Sequence, residues 1–588
     1  MGYFADRPCI VQGDYSVLLE VDNPQYEAAR DLLASFAELE KSPEYIHTYR
    51  ITPLSLWNAA ASGTTATGVV GGLERFAKHD LPPNVVVEIS EQMSRYGRLK
   101  LRRTASQQLV LESSDPTLLI ELTHNNRMRE LLAGPIDGST LPVRGDLRGH
   151  LKQTLVQLGY PVEDLAGFTD GAPLELALRA ETLRGSSFAL RPYQRDAVDG
   201  FWAGGGPTGG SGVVVLACGA GKTVVGIGTI VRARMQTLVL CYGTVAAHQW
   251  IEEIVDKTDI HPDLVGEYTG NQKEVRPITV ATYQVLTYRP RGKERASGEL
   301  RAGDFPHLSL LTSRDWGLII YDEVHLLPAP VFRITAEIQA RRRLGLTATL
   351  VREDGRESDV FSLIGPKRYE VPWKTLEQQG WIATAECHEV RVNLPPDERM
   401  AYAVADEANE RHRIAAASSA KLPVVRRLVE QFQQSHVLII GQYLEQLDEV
   451  ASALGAPIIT GKTSIHERER LYAEFRDGAV PVLVVSKVAN FAIDLPSANV
   501  AIQISGTFGS RQEEAQRLGR VLRPKPDGSQ AQFFSIVTRD TTDQSFAAKR
   551  QLFLTEQGYR YTIMDAAEVL AGTGSARAES TPRLWRVK

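Results

Sequence analysis

The most restrictive feature of this 588-residue chain is a four-residue apolar run, Val213 to Leu216, that passes directly into Ala217-Cys218-Gly219-Ala220-Gly221-Lys222-Thr223 and then into an apolar segment of helical length. The order strand, glycine-rich loop, helix commits this region to an α/β unit with a phosphate-binding loop. Gly219, Ala220 and Gly221 leave backbone N–H groups free to wrap phosphate oxygens. Lys222 can reach the β and γ phosphates, Thr223 can ligate Mg²⁺, and the helix N-terminus that follows favours an anion. The full GxxxxGK[ST] pattern is not met, because Leu216 stands where its first glycine would be.

Further along, the apolar run Leu318 to Tyr321 ends in Asp322-Glu323-Val324-His325. The carboxyl ends of strands are where open α/β sheets bind ligands. Asp322 there can hold the Mg²⁺ shell, and Glu323 can orient and deprotonate a water for in-line attack on a γ phosphate. A third element, Gln516-Arg517-Leu518-Gly519-Arg520-Val521-Leu522-Arg523, lies past a second series of apolar runs. Arg520 and Arg523 share one helical face. Guanidinium groups brought to a phosphoryl group neutralise transition-state charge, an effect of roughly 10³–10⁵ in rate.

At roughly 100–200 residues per domain, the length predicts about three to five compact units. With 43% hydrophobic and 23% charged residues, wholesale disorder is excluded. Lys+Arg 66 against Asp+Glu 71 gives a net charge of −5, so any nucleic-acid contact must be a local patch and not bulk charge. The four cysteines, Cys9, Cys218, Cys241 and Cys387, form no CxxC pair, so neither a disulfide framework nor a zinc site is indicated. The first residues lack an apolar leader core, Asp6 stands where an N-myristoylation signal requires Ser or Thr, and no run approaches the roughly 20 apolar residues that span a bilayer. These points predict a soluble, cytoplasmic protein with no membrane partner.

Residues 1–130 read as a mixed module. Helix starts are expected at Asn23-Pro24 and Thr52-Pro53, with Ala29, Leu32, Leu33 and Phe36 as a buried stripe. Residues 131–185 read as a second small module. Residues 203–212, AGGGPTGGSG, are expected to be a flexible connection. From 213 to about 540, the runs VVVL, TLVLCY, ITVATY, WGLIIY, HVLIIG, VPVLVV and ANVAIQIS alternate with helix-length segments, which predicts parallel sheets. The small, polar tail after Leu570 is expected to be disordered.

The loop, DEVH and QRLGRVLR in this order resemble superfamily 2 helicases. Leu190-Arg191-Pro192-Tyr193-Gln194, CGAGKT, WGLIIYDEVH, the stretch from Leu344 to Asp354 and AIDLPSANVAIQIS look like the XPB-type DNA repair helicases, and His47 to Leu56 extends the likeness into the N-terminal module. The resemblance implies two tandem RecA-like P-loop domains with parallel sheets, preceded by mixed α/β N-terminal modules. The divisions it implies are 1–130, docking or scaffold; 131–185, damage-recognition-like; 186–385, the first RecA-like domain; 386–545, the second, with a thumb-like helical insertion near 395–420; and 546–588, a partly disordered extension.

The same resemblance implies ATP and Mg²⁺ as cofactors and single-stranded or forked DNA, bound without sequence preference and traversed 3′ to 5′, as partner. By motif position it implies that Arg191, Gln194, Asp494 and Gln516 bind nucleotide, with Gln194 reading the adenine. Thr347 and Thr349 would couple nucleotide state to movement, and Arg352-Glu353-Asp354 would act in duplex opening. His248 and the loop Ala281-Thr282-Tyr283-Gln284 would grip DNA phosphates, and His325 would serve the coupling. Ala217 and Ala489-Asn490 depart from the family's usual proline and Gly-Asp; losing the glycine removes access to positive φ. Two other readings stay open: a duplex translocase that does not separate strands, and an ATP-gated DNA-binding scaffold with little turnover. No nuclease constellation is seen, so incision is expected to need a repair partner.

Overall fold

Thr52 caps the helix Pro53–Ala61 as its sequence predicts. Ser55 N donates to Thr52 Oγ1 at 3.1 Å and Thr52 N donates to Ser55 Oγ at 3.0 Å, with Pro53 in the first turn. The start expected at Asn23-Pro24 is displaced. The helix is Tyr26–Ala34, and Asn23 Oδ1 accepts from Gln25 N at 2.9 Å in a local turn instead of capping it. Ala29, Leu33 and Phe36 are buried, and Leu32 is half-buried.

The structure, a computed structural model, describes residues 3–41, 45–106, 108–166, 170–205, 209–217, 219–288, 305–307, 310, 314–324, 340–348, 357–383, 385–486, 498–506, 530–556, 559 and 561–572. Two compact units are present, Met1–Leu376 with Glu556–Gly558, and Glu377–Thr555 with Tyr559–Lys588.

In the first unit, β1 (Cys9–Val11), β2 (Ser16–Glu20), β3 (Glu38–Lys41) and β4 (Ile46–Arg50) form an antiparallel sheet in the order β1-β2-β4-β3. A second small sheet, in the order β7-β6-β5-β8, combines β5 (Leu99–Arg103), β6 (Leu109–Ser113), β7 (Thr140–Pro142) and β8 (Val162–Asp164) over one core that includes Leu101, Leu111, Leu119, Leu141 and Leu155. This sheet takes strands from both sides of residue 130, so the division expected between 130 and 131 falls inside it. The helix Arg148–Gln157 packs on the helix Glu357–Leu363, and Trp57, Val156 and Phe361 share an apolar cluster.

The same unit holds a fully parallel sheet of β9 (Ser211–Val215), β10 (Thr237–Cys241), β11 (Val265–Tyr268), β12 (Ile278–Thr282), β13 (Leu318–Asp322), β14 (Arg342–Thr347) and β15 (Lys367–Glu370), in the order β11-β12-β10-β13-β14-β9-β15. Strands covered on both faces read as continuous apolar runs, which is why the central ones were visible in the sequence. The connection expected to be flexible does not extend to residue 212. Gly209 and Gly210 are buried, and Ser211 and Gly212 already belong to β9. Because every strand runs the same way, Val215, Asp322 and Thr347 end on one edge. β14 separates β9 from β13, so the phosphate-loop strand and the acidic strand lie about 10 Å apart.

The second unit has its own parallel sheet of β16 (Ala385–Val392), β17 (Val437–Gly441), β18 (Ile458–Ile459), β19 (Val482–Ser486), β20 (Val500–Gln503), β21 (Ala531–Thr538) and β22 (Tyr561–Asp565), in the order β18-β19-β17-β20-β21-β16-β22. The expected α/β class, with two tandem parallel-sheet domains behind mixed modules, is the one observed. β22 pairs with β16, so part of the stretch expected as an extension is sheet; the tail from 573 lies outside the described residues. Helices Pro396–Val404 and Ala408–Ala416 occupy the segment expected to be a helical insertion. Among the described residues no helix is long and apolar enough to cross a membrane.

Candidate nucleotide site

The loop after β9 is shaped by glycine. Gly219 and Gly221 have φ of +82° and +81°, a region that costs glycine little, and Gly221 leads directly into the helix Lys222–Ala233. Tyr193 Oη donates to Ala220 O at 2.7 Å, and Gln194 Nε2 donates to the same carbonyl at 3.0 Å. Gln194 Oε1 accepts from Arg191 N at 3.0 Å, and Arg191 Nη1 donates to Tyr193 Oη at 3.2 Å. A Cβ on Gly221 would stand 2.5 Å from Gln194 Nε2. Gln194, expected to read adenine, is buried here with its amide joining two backbone segments, so it positions the loop.

At the end of β13, Lys222 Nζ lies 2.8 Å from Glu323 Oε1, bridging the loop to the acidic strand. Glu323 has φ +49°, an uncommon and costly conformation for a residue with a Cβ, of the kind held in place at functional sites. Trp250 Nε1, from the helix Thr244–Lys257, donates to Asp322 Oδ2 at 2.9 Å, and Tyr283 Oη donates to Asp322 O at 2.8 Å. Burial and then the charge of Glu323 push the Asp322 carboxyl up to about 6, while the Trp250 hydrogen bond and Lys222 pull the other way.

Among the described residues no group of three or more His, Cys, Asp or Glu side chains could hold a metal ion by itself. Mg²⁺ at phosphates is usually bound through one or two protein oxygens, with the rest from substrate and water. Thr223, in the first turn of the helix Lys222–Ala233, and Asp322, at the end of β13 within the influence of the Lys222 charge, each carry a side-chain oxygen.

Of the residues expected to meet nucleic acid, His248 is half exposed, with Nε2 3.1 Å from Glu267 Oε2. Thr282 is buried at the end of β12, so its hydroxyl is not presented at the surface; Gln284, two residues on, is exposed. Thr347 is buried at the end of β14, and its carbonyl accepts from Leu216 N at 3.0 Å, tying that strand to the start of the phosphate loop. His325, Thr349, Arg352, Glu353, Asp354, Asp494, Gln516, Arg520 and Arg523 lie outside the described residues, as do Cys218 and Ala489-Asn490.

Two residues that hold the site were not singled out from sequence, and a third, Tyr283, was expected only within the loop 281–284 that grips nucleic acid. Tyr193 sits inside a motif quoted for other reasons. Trp250 belongs to the stripe Ala247, Trp250, Ile254 and reads as core. Tyr283 ends an apolar run and shows no polar signal of its own.

Three family profiles match the chain: ERCC3/RAD25/XPB C-terminal helicase over residues 376–580, type III restriction enzyme, res subunit, over 187–352, and helicase conserved C-terminal domain over 9–137. The DNA 3'-5' helicase XPB of Kineococcus radiotolerans is 54% identical over 571 residues, spanning 97% of this chain and 99% of its own. Its namesake from Mycobacterium tuberculosis is 53% identical over 565 residues, spanning 96% and 99%. The general transcription and DNA repair factor IIH helicase/translocase subunit XPB of Antonospora locustae is 33% identical over 579 residues, spanning 95% and 82%.

Proposed function

This chain belongs to the XPB helicase family, and from that premise we propose that it is a DNA 3′-to-5′ helicase that hydrolyses ATP to open duplex DNA during repair. The observation that carries the catalytic half is the 2.8 Å contact between Lys222 Nζ and Glu323 Oε1, which brings the cation of the phosphate loop to the candidate general base. Mg²⁺, held by Thr223 and Asp322, would supply positive charge at the β and γ phosphates.

The residues then have separable tasks. Backbone N–H groups from Gly219 to Thr223 bind phosphate oxygens, with Arg191 and Gln194 fixing the loop from behind. The γ phosphate draws Lys222 away from Glu323. Glu323, relieved of its partner and fixed by its strained backbone, accepts a proton from the attacking water. For the charge that develops on the transferred group we assign Arg520 and Arg523, with Asp494 and Gln516 as further nucleotide contacts, on sequence grounds. His325, Thr347 and Thr349 follow the two strand ends nearest the phosphates and are the proposed relay to movement.

DNA is held through its phosphates without sequence preference, with His248 and Gln284 as surface contacts and the Arg352-Glu353-Asp354 triplet acting in strand opening; binding then weakens steeply with salt. Cys9, Cys241 and Cys387 are buried as thiols, which supports a reducing cytoplasm. Incision is left to a partner nuclease.

The test is phosphate release with no DNA and with single-stranded, duplex and forked DNA, run beside displacement of strands from 3′-tailed and 5′-tailed duplexes. Stimulation by DNA, loss of turnover in Glu323→Gln and displacement only from the 3′ tail are expected. Turnover indifferent to DNA, or displacement from the 5′ tail alone, overturns the proposal. The word translocase in the name of the Antonospora relative favours one second reading, movement on duplex without strand separation. Triplex displacement in the absence of duplex opening would select it.

A further inference from the structure

Within the first unit, the sheet β7-β6-β5-β8 meets the motor sheet across a small cavity of about 50 Å³ that lies away from the phosphate loop. At about 10–15 Å³ per water, that space holds a few waters or one five-atom oxyanion. Its walls carry five cations, Arg148, Lys152, Arg341, Arg343 and Arg368, against two carboxylates, Glu163 and Asp164. Arg148 and Lys152 come from the helix Arg148–Gln157, Asp164 ends β8, and Arg343 is the second residue of β14, the strand beside the phosphate-loop strand.

The charge at the centre of this cluster does not balance. Asp164 accepts from Arg148 through both oxygens, from Lys152 Nζ at 3.0 Å, and faces Arg343 Nη2 at 3.5 Å. Among the described residues one carboxylate therefore serves three buried cations whose side chains are only 3%, 5% and 5% exposed. Arg343 Nε, buried, has no hydrogen-bond acceptor among the described residues. Arg341 is already paired with Asp170, and Arg368 donates to the carbonyls of Ser211 and Ala61. A buried excess of positive charge is expensive unless an anion joins it or a group gives up its proton. The second route shows in Lys152, which burial, with help from Arg343 and Arg148, pushes down to about 7.

We propose that this cavity binds a phosphate-type oxyanion, held by Lys152, Arg343 and Arg148, which fastens the small sheet to the first residues of β14. Planar guanidinium groups recognise such an anion well. The anion has two sources, free phosphate or the terminal phosphate of a nucleic-acid strand.

Thermal unfolding of the full chain is measured against inorganic phosphate, with chloride at matched ionic strength as control. A Lys222→Ala background removes the contribution of the phosphate loop. A saturable rise in Tm that persists in Lys222→Ala is expected. Adding Lys152→Met should weaken the phosphate response by about tenfold or more, the size of one charge-assisted hydrogen bond. Asp164→Asn should strengthen it, and a variant that folds only with phosphate present supports the site equally. Lys462→Met, exposed and remote in sequence, should leave the response intact. An oligonucleotide with a terminal phosphate that competes with inorganic phosphate, where its hydroxyl-ended twin does not, makes the strand end the source; failure of both to compete leaves free phosphate. A response that does not saturate, that vanishes with Lys222→Ala, or that ignores both Lys152→Met and Asp164→Asn overturns the proposal. ATPase activity is not among the readouts, so the helicase reading can fail without affecting this one.

Discussion

Trp250 Nε1 donates its hydrogen to Asp322 Oδ2 at 2.9 Å, so a residue that reads as core orients the carboxylate proposed to face Mg²⁺. The indole also packs over Gly226, where an added Cβ would stand 2.4 Å from Trp250 Cη2. Trp250→Phe keeps most of that packing and removes the donor. A hydrogen bond to a charged group is worth roughly 1.5–3 kcal/mol, so kcat should fall by about tenfold or more. Stopped-flow phosphate release beside a thermal melt distinguishes this from misfolding: the rate drops far more than the small loss in Tm explains.

The bridge between Lys222 and Glu323 predicts opposite binding phenotypes for its two ends. Lys222→Ala should lose both ATP affinity and turnover, because the cation meets the phosphates directly. Glu323→Gln should keep ATP affinity or raise it, because Lys222 is released from a competing charge, while turnover falls by roughly 10²–10⁴, the contribution of a positioned base. Fluorescent-nucleotide titration with single-turnover hydrolysis measures both. Equal loss of affinity in the two variants would refute the assignment.

The loop itself offers a third measurement. Gly221→Ala adds a Cβ at φ +81°, only 2.5 Å from Gln194 Nε2. The backbone penalty of about 1–3 kcal/mol, plus displacement of Gln194 from Ala220 O, should distort the phosphate cradle more than the fold. ATP affinity is expected to drop by one to two orders of magnitude on that basis, with the DNA-free melt shifted by only a few degrees.

Most of the parallel sheets were legible because strands buried on both faces have to be apolar throughout. Of the strands that escaped, β18 is only two residues long and β21, AQFFSIVT, is uncharged, whereas three others carry charge where the structure gives it a partner. β14 opens with Arg342, whose guanidinium lies over the Trp202 ring at 4.0 Å, and Arg343, which faces Asp164. β15 opens with Lys367-Arg368, and Arg368 is held by two carbonyls. β16, AECHEVRV, alternates because its polar residues find partners such as Gln532 for His388 and Gln551 for Glu389. At the site, Lys222, Asp322 and Glu323 were legible because the chemistry fixes their residue types. Tyr193, Trp250 and Tyr283 were not, since each contributes one polar atom at the end of a side chain whose ring is core. Nothing in the letters DEVH signals the positive φ of Glu323.

In the second unit, Lys421 and Asp543 form a fully buried pair, Nζ to Oδ2 2.8 Å, with Arg550 4.0 Å from the other oxygen and Ile504 O also accepting from Lys421 at 2.9 Å. Burial lowers the pKa of Lys421, and Asp543 opposes the shift. Asp543→Asn leaves two buried cations without their carboxylate and should cost about 3–5 kcal/mol, as breaking such a pair usually does. Denaturant unfolding of the full chain should show the transition reported by the second unit moving to lower denaturant. Lys421→Met with Asp543→Asn should recover part of the loss, because one of the two cations left without the carboxylate is removed.

Lys152 makes stability depend on pH in an unusual direction. Its folded pKa, about 7, lies below the ordinary lysine value of 10.5. Between those values the unfolded chain binds the extra proton, so this group makes the fold more stable as pH rises through that window. Below about 7 both states are protonated and its penalty is fully present. The slope from one proton is at most about 1.4 kcal/mol per pH unit. Asp164 has the opposite sign: burial would raise its pKa, Arg148, Lys152 and Arg343 outweigh that and lower it, and its contribution is lost only as pH falls into the acid range. Denaturant melts from pH 7 to 10, without phosphate, should therefore show wild type gaining on Lys152→Met as pH rises. Parallel curves for the two proteins would mean that Lys152 keeps an ordinary pKa and that the cluster carries its charge without strain. Saturating phosphate should flatten the difference, because an anion beside the ammonium restores the proton that burial removes.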